Sequence, residues 1–176
     1  MDQTGVCIDN PGRSTIEVRG AKHVDVVQGM GENGARCSVF LCASALGKKL
    51  PAFVVFSGVP DADVYTEVSD PNWGHSDVVH TTQRKAWCDH ATMMKWIEEV
   101  WTPTADGCRM LMLDSLRGHK MESVKQHLED TCCTKVQYVP PGITGLSQPM
   151  DVSVMRAFKS NIQYVFANGL SVSQHF

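Results

Sequence analysis

The stretch that decides the fold is residues 109–159, RMLMLDSLRGHKMESVKQHLEDTCCTKVQYVPPGITGLSQPMDVSVMRAFK. Its first apolar run, residues 110–113, predicts a buried strand that ends on a carboxylate, Asp114. A second apolar run, residues 136–139, predicts another strand, and the two prolines that follow it end that strand. Asp151 then opens a predicted helix. The sequence therefore places one carboxylate on each side of a short strand pair.

These two aspartates are a candidate divalent-cation site. A buried carboxylate is costly unless it is paired or binds a metal, and hard cations such as Mg²⁺ take oxygen ligands. The residues alone leave a second interpretation open. Asp114 can close its strand as a turn residue, and Asp151 can act as a helix N-cap.

Two long words in this stretch resemble a known family. Residues 136–159, VQYVPPGITGLSQPMDVSVMRAFK, resemble the C-terminal signature of the DDE superfamily endonuclease domain of pogo, Tigger and jerky-type transposases and their domesticated relatives. Residues 111–119, LMLDSLRGH, resemble that family's second catalytic block. The separation of Asp114 and Asp151, 151 − 114 = 37 positions, suits the family's all-aspartate variant. The resemblance runs from Asp2 to about residue 162.

The resemblance implies a catalytic triad of Asp2, Asp114 and Asp151, which are also the implied metal ligands. Asp2 is assigned because Asp2-Gln3-Thr4 resembles the family's first catalytic word, with Gln3 in place of an acid. The implied cofactors are two Mg²⁺ (or Mn²⁺) ions, roughly 3.5–4 Å apart, which assist an in-line phosphoryl transfer. The implied reaction is cleavage and strand transfer of DNA. The residues alone favour a frayed terminus at Asp2, because only Met1 precedes it.

Four further residues are candidates for DNA contacts. His119 and Lys120 follow Asp114 closely, and a histidine at this place is a habit of the resembled family. Arg156 and Lys159 lie on the predicted helix after Asp151, opposite its apolar residues. Each of the four is also open to interpretation as a solvated side chain.

Composition limits the classes of protein. The chain has 176 residues, enough for one domain with a core, and a net charge of −3. No apolar run approaches the roughly 20 residues that span a bilayer, and no secretory signal follows Met1, so we expect no membrane and a nuclear or cytoplasmic protein. The resemblance favours the nucleus and DNA as partner, with homo-oligomerisation left open. A mildly acidic chain suggests that another module grips the DNA.

The seven cysteines include no C-x-x-C pair. We therefore interpret most of them as small core residues rather than as a disulfide framework or a zinc site. The glycine-dense residues 29–34 are interpreted as a turn between strands and not as a phosphate loop, because no amphipathic helix follows them.

The remaining patterns predict an α/β domain. Predicted strands cover residues 14–19, 23–28, 36–45 and 50–56, the last two as an antiparallel hairpin, and residues 59–84 are predicted as a long surface loop with short extended pieces. Predicted helices cover residues 86–101, with Asp89 as N-cap and a stop at Pro103, and residues 121–130 and 151–166. Each has apolar residues at helical spacing that we expect in the core: Met93, Trp96, Ile97, Val100 and Trp101 on the first, Val124 and Leu128 on the second, and Val154, Met155, Phe158, Ile162 and Val165 on the third. This order resembles a ribonuclease H-like fold, a mixed central sheet with an antiparallel meander flanked by helices. We expect one domain, residues 1–176, truncated at both ends, with its N-terminal strand and C-terminal helix incomplete.

A different class of function remains open. The almost absent first strand, the acidic charge and the lack of a preceding helix-turn-helix module suit a catalytically inactive transposon remnant. Such a remnant, or a domesticated derivative, acts as a nucleic-acid- or protein-binding module. A plain structural α/β domain is the third interpretation.

Overall fold

A computed structural model gives the fold, and it describes residues 1–8, 36–140, 142 and 148–167. The two strands predicted at residues 14–19 and 23–28, and the turn at residues 29–34, lie outside this part of the chain. The described strands are β1 (Asp2–Cys7), β2 (Arg36–Leu41), β3 (Ala52–Ser57), β4 (Val78–Gln83), β5 (Arg109–Leu113) and β6 (Thr134–Tyr138). The α-helices are α1 (Asp63–Val68), α2 (His90–Trp96), α3 (Thr102–Thr104), α4 (Glu122–Asp130) and α5 (Met155–Ala167). Two π-helical segments are π1 (Ile97–Trp101) and π2 (Met150–Val154).

The strands pair in a mixed pattern, which confirms the α/β class. β1 pairs antiparallel with β2, β2 pairs antiparallel with β3, and β4 joins β3 in parallel. β5 and β6 form a separate parallel pair. The N-terminal ammonium of Met1 donates a hydrogen bond of 2.8 Å to the Met112 carbonyl oxygen, so the start of β1 lies beside β5. The predicted hairpin is confirmed by β2 and β3, although both strands are shorter than expected.

The core lies between the sheet strands and the helix formed by α2 and π1. The stripe predicted on that helix is confirmed, because Met93, Trp96, Ile97 and Val100 have no exposed surface. Asp89 is the predicted N-cap, and its carboxylate accepts the Thr92 N–H at 2.9 Å. From α4, Val124 and Leu128 join the same core, as predicted.

Four local predictions were wrong. The loop with short extended pieces predicted at residues 59–84 contains a helix, α1, and a full sheet strand, β4, because β4 is held by backbone pairing with β3 that no local pattern indicates. The helix does not stop at Pro103 but continues through α3. The Thr102 N–H bonds to the Ile97 oxygen, which shifts the register before the proline, so its missing N–H is tolerated at the helix end.

The third correction concerns burial in the organising stretch. β5 is buried on one face only: Leu111 and Leu113 are inside, whereas Met110 is 62% exposed. The apolar set predicted as core on the last helix is also incomplete. Met155 is buried, but Val154 is 38% exposed.

The fourth correction concerns the cysteines. Cys108 and Cys133 form a disulfide across a sequence separation of 25. Each directly precedes one strand of the parallel pair, and the register Arg109↔Thr134 brings them side by side. Of the five free cysteines, two are buried, Cys37 and Cys42. Separately, no helix in the described ranges is long and apolar enough to cross a membrane.

Candidate active site

Asp2 enters the site from the first position of β1. The strand alternation buries Asp2 and Thr4 on one face, and Asp2 is only 6% exposed. Its Oδ1 accepts the Gln3 N–H at 2.8 Å. The residue is therefore an ordered, buried carboxylate within a paired strand, and the frayed terminus is not what the structure shows.

Asp114 enters from the carboxyl end of β5. It is 8% exposed and follows Leu113, which is fully buried, so the strand fixes where its side chain begins. Its Oδ1 accepts the Leu116 N–H at 3.3 Å and is also hydrogen-bonded to Nδ1 of His119. Both bonds use the same oxygen, which leaves Oδ2 as the freer donor for an ion.

His119 is buried completely, at 0% exposure. An ionised carboxylate only accepts, so Nδ1 carries the hydrogen that is shared with Asp114. The Tyr138 hydroxyl donates to the His119 carbonyl oxygen at 3.0 Å, which ties the residue to β6. Nε2 is buried and has no hydrogen-bond partner among the described residues. The sequence offered His119 as a DNA contact, but its ring has no exposed surface with which to touch a phosphate here.

Asp151 enters from π2 and is exposed. The helix start is tied to β1 through Gln148, which sequence reasoning did not single out. Gln148 is 2% exposed, and its Nε2 donates to the Met1 carbonyl oxygen at 3.5 Å, while its backbone carbonyl oxygen accepts the Val152 N–H at 3.0 Å. The available signal was its place in the word SQPMD, directly before Asp151.

The three carboxylates share one electrostatic environment. The pKa of Asp2 is raised, first by burial and then by the charges of Asp114 and Asp151. The Gln3 N–H and the N-terminal ammonium oppose this increase. The fold has thus brought together side chains that are 112 and 149 positions from Asp2 in sequence (114 − 2 and 151 − 2).

Carboxylates can shift one another's pKa over distances longer than those at which they share a metal ion. Within the described ranges, no three His, Cys, Asp or Glu side chains are close enough to hold a metal ion. The donor chemistry nevertheless fits a hard divalent cation, since three aspartates supply only oxygen. A bound cation would also offset the desolvation and the charge repulsion that raise the pKa of a buried carboxylate with acidic neighbours.

The basic candidates are on the surface. Lys120, Arg156 and Lys159 are all exposed. The Lys120 ammonium lies 5.8 Å from the centroid of the Tyr138 ring, on the side of β6. These positions are open to a phosphate backbone, in contrast to His119.

The chain is a mixed α/β domain with an acidic site of oxygen donors. Its aspartates come from the start of a strand, the end of another strand and the start of a helix. The chain belongs to the DDE superfamily endonuclease family, whose sequence profile matches residues 34–174. Asp114 and Asp151 lie inside the matched range, and Asp2 precedes it. The resemblance to pogo-type DDE domains is thereby confirmed.

Two relatives extend the comparison. The chain is 28% identical over 175 residues to a Homo sapiens protein described as "Pogo transposable element with KRAB domain", and 27% identical to the Mus musculus protein of that description. Each match covers 96% of this chain and 27% of the relative. The chain thus spans about a quarter of the length of these relatives. No solved structure matches the chain.

Proposed function

We propose that this chain is the endonuclease domain of a transposase-derived protein and cleaves and joins DNA phosphodiester bonds with divalent metal ions. The observation that carries the proposal is the environment of Asp2. Its buried carboxylate has a pKa raised by burial and by two further aspartates, Asp114 and Asp151, which both lie inside the residues that match the family. Such a cluster is unfavourable without a cation, so a cation is the partner it suits.

The roles of the chain's own residues follow from their positions. Asp2, Asp114 and Asp151 would hold Mg²⁺ or Mn²⁺, two ions by analogy with the family. Bound ions would supply charge stabilisation and activate a water or a DNA 3′-hydroxyl as nucleophile. At least one of the three carboxylates would have to move on binding, because the described chain does not bring three ligands within coordination distance, and we propose that it is Asp151. Its place at an exposed helix start leaves it room to do so.

His119 acts as a positioning residue for Asp114. Together with the Leu116 N–H it occupies Oδ1, which would leave Oδ2 to hold an ion. Hydrogen-bond partners behind a metal ligand fix its orientation and increase its basicity. His119 therefore supports the chemistry without touching DNA.

The arrangement of strands supports a ribonuclease H-like fold. Antiparallel β3, β2 and β1 are followed across the Met1–Met112 hydrogen bond by parallel β5 and β6. β4 is an addition at the far edge, beside β3. We propose DNA as the partner, with Lys120, Arg156 and Lys159 against its backbone, and the nucleus as the location. Homo-oligomerisation stays a prediction.

A plasmid assay tests the endonuclease. Purified chain is incubated with supercoiled plasmid in Mg²⁺ or Mn²⁺, and nicked circles are measured over time. We expect wild type to nick, and Asp114→Asn and Asp151→Asn to lose at least about 100-fold in rate, because each removes a charged ligand. Asp106→Asn changes an exposed acid outside the site and is the matched control. Equal nicking by all four proteins would remove the catalytic proposal.

A second candidate function is a non-catalytic module that binds nucleic acid or protein. Two observations favour it: no three ligands are gathered in the described chain, and the net charge is −3. The same assay separates the two. A chain that binds DNA but leaves the plasmid intact in both metals, with no change in thermal stability on adding Mn²⁺, is the binding module.

A further inference from the structure

Trp87 is displayed on the surface. It is 60% exposed, whereas Trp96 and Trp101 are buried in the core and Trp73 is half-buried. Large aromatic side chains are usually buried at least in part, because exposure of their apolar area to water is unfavourable. An indole held outward therefore suggests that something else covers it.

The turn that carries Trp87 is rigid. The Gln83 side-chain oxygen accepts two backbone N–H groups, those of Lys85 at 2.7 Å and of Trp87 at 3.0 Å. Ala86, between them, is fully buried and has a left-handed φ of +54°. The Ser38 hydroxyl donates to the Ala86 carbonyl oxygen at 2.6 Å. Strained backbone held by this many bonds is typical of a preorganised binding element.

Positive charge surrounds the indole. The Arg36 guanidinium and the Lys85 ammonium each lie 5.8 Å from the Trp87 ring centroid. The Arg36 Nε donates to the Lys85 carbonyl oxygen at 2.9 Å, so the first cation is held in place by the same turn. The nearby carboxylate of Asp89 is already occupied, since it accepts the Thr92 N–H and the amide of Gln83. The chain as a whole has a net charge of −3, so this local excess of cations marks a place that attracts anionic ligands.

A cavity of about 860 Å³ extends from Trp87 to the loop after Asp114. Gln3 of β1 and the loop residues Leu116, Arg117 and Gly118 are among its lining residues. The loop is packed tightly at this point, because a Cβ on Gly118 would lie 2.7 Å from the Cys88 carbonyl oxygen. The cavity is thus lined both by an aromatic side chain with cations and by the loop that follows Asp114.

We propose that this cavity binds unpaired nucleotides of a DNA strand, with a base stacked on Trp87 and phosphates near Arg36, Lys85 and Arg117. Aromatic side chains between cations are the surface that single strands prefer, because every base has a face to stack and every nucleotide carries a charge. The proposal deepens the proposed function by adding a binding site for DNA that is unpaired beside the cleaved bond. It stands on the geometry of the cavity and not on catalysis.

Binding measurements in EDTA test the proposal without cleavage. Fluorescence anisotropy compares a labelled single strand, a duplex with an unpaired overhang and a blunt duplex of the same sequence. We expect Trp87→Ala to weaken binding of the first two by about 5- to 150-fold, the effect of removing one stacked base. Trp87→Phe keeps a stacking ring and should stay close to wild type. The blunt duplex should change by less than about twofold.

Two further readouts report the site directly. Single-stranded DNA should quench the intrinsic fluorescence of wild type and of Trp73→Phe equally, since Trp87 is the exposed indole. With three cations near the strand, log affinity against log salt should have a slope of about −2. Arg117→Ala should reduce that slope by roughly 0.7.

Three outcomes would overturn the inference. They are an unchanged affinity of Trp87→Ala for unpaired DNA, an equal loss for the blunt duplex, and a change only in self-association by sedimentation. The last result would make the surface a protein interface. The outcome is separate from that of the plasmid assay. A chain that binds unpaired DNA through Trp87 but never nicks supports the cavity and refutes the endonuclease.

Discussion

Replacement of His119 by phenylalanine isolates the hydrogen bond that holds Asp114. The phenyl ring fills nearly the same volume but donates nothing, and at 0% exposure no solvent reaches the vacated position. A hydrogen bond to a charged group contributes roughly 1.5–3 kcal/mol to stability, so we expect a loss of about 2 kcal/mol in the free energy of unfolding. For a domain of this length, that loss corresponds to a decrease of about 4–8 °C in Tm.

The assay is urea unfolding followed by tryptophan fluorescence, arranged as a double-mutant cycle with Asp114→Ala, which removes the accepting oxygen. If the hydrogen bond is the cause, the two substitutions should be coupled by about 1–3 kcal/mol, because either one alone removes it. His119→Asn is the control. Its amide nitrogen is bonded to Cγ as Nδ1 is, so it keeps a donor there and should retain part of the coupling.

A metal-binding readout separates positioning from packing. Loss of a partner behind a metal ligand typically lowers metal affinity about 10- to 100-fold, and we expect this for Mn²⁺ with His119→Phe, measured by calorimetry. Leu128→Ala is the control, because it removes core packing away from Asp114. It should lower the free energy of unfolding but leave the Mn²⁺ affinity of the folded protein unchanged. Additive stabilities within about 0.5 kcal/mol in the cycle would refute the reasoning.

Three other predictions test the site and its frame. The raised pKa of Asp2 means that the folded state binds a proton more tightly than the unfolded state, so the free energy of unfolding should fall as pH rises from 3.8 through that raised pKa. Asp2→Asn should therefore be more stable than wild type at pH 7. Urea titrations should show that this gain vanishes in acid. Cys108→Ser opens a disulfide across 25 positions and should cost about 3.5 kcal/mol by calorimetry, with no difference from wild type in reductant. Gly118→Ala should cost about 1–3 kcal/mol because its Cβ meets the Cys88 oxygen, whereas Gly5→Ala meets nothing within 4 Å and should unfold like wild type.

Local patterns predicted the elements that carry the site. The strands that end at Leu113 and Tyr138 were found from short apolar runs with firm stops, and the buried stripe around Trp96 from its helical spacing. The Asp89 cap was found because a capping residue is a local signal. The family words supplied the choice of aspartates, which periodicity alone does not distinguish from turn residues.

Patterns failed where a partner is distant in sequence. β4 was missed because its strand character depends on β3, and the Cys108–Cys133 disulfide because it depends on the register of β5 with β6. The burial of His119 was missed for the same reason. Asp114 is only five positions away, but the hydroxyl that bonds to the His119 backbone belongs to Tyr138, which is 19 positions further along.

The sequence by itself determined the kinds of element and the chemistry on offer: oxygen donors at strand and helix ends, in words that identify a family. Only the tertiary structure decided that Asp2 is buried beside β5, that Gln148 connects the last helix to β1, and that Trp87 faces outward among cations. The physical reason is that period and capping are encoded within a few residues. Burial, register and electrostatic environment are created only when segments far apart in the chain come into contact.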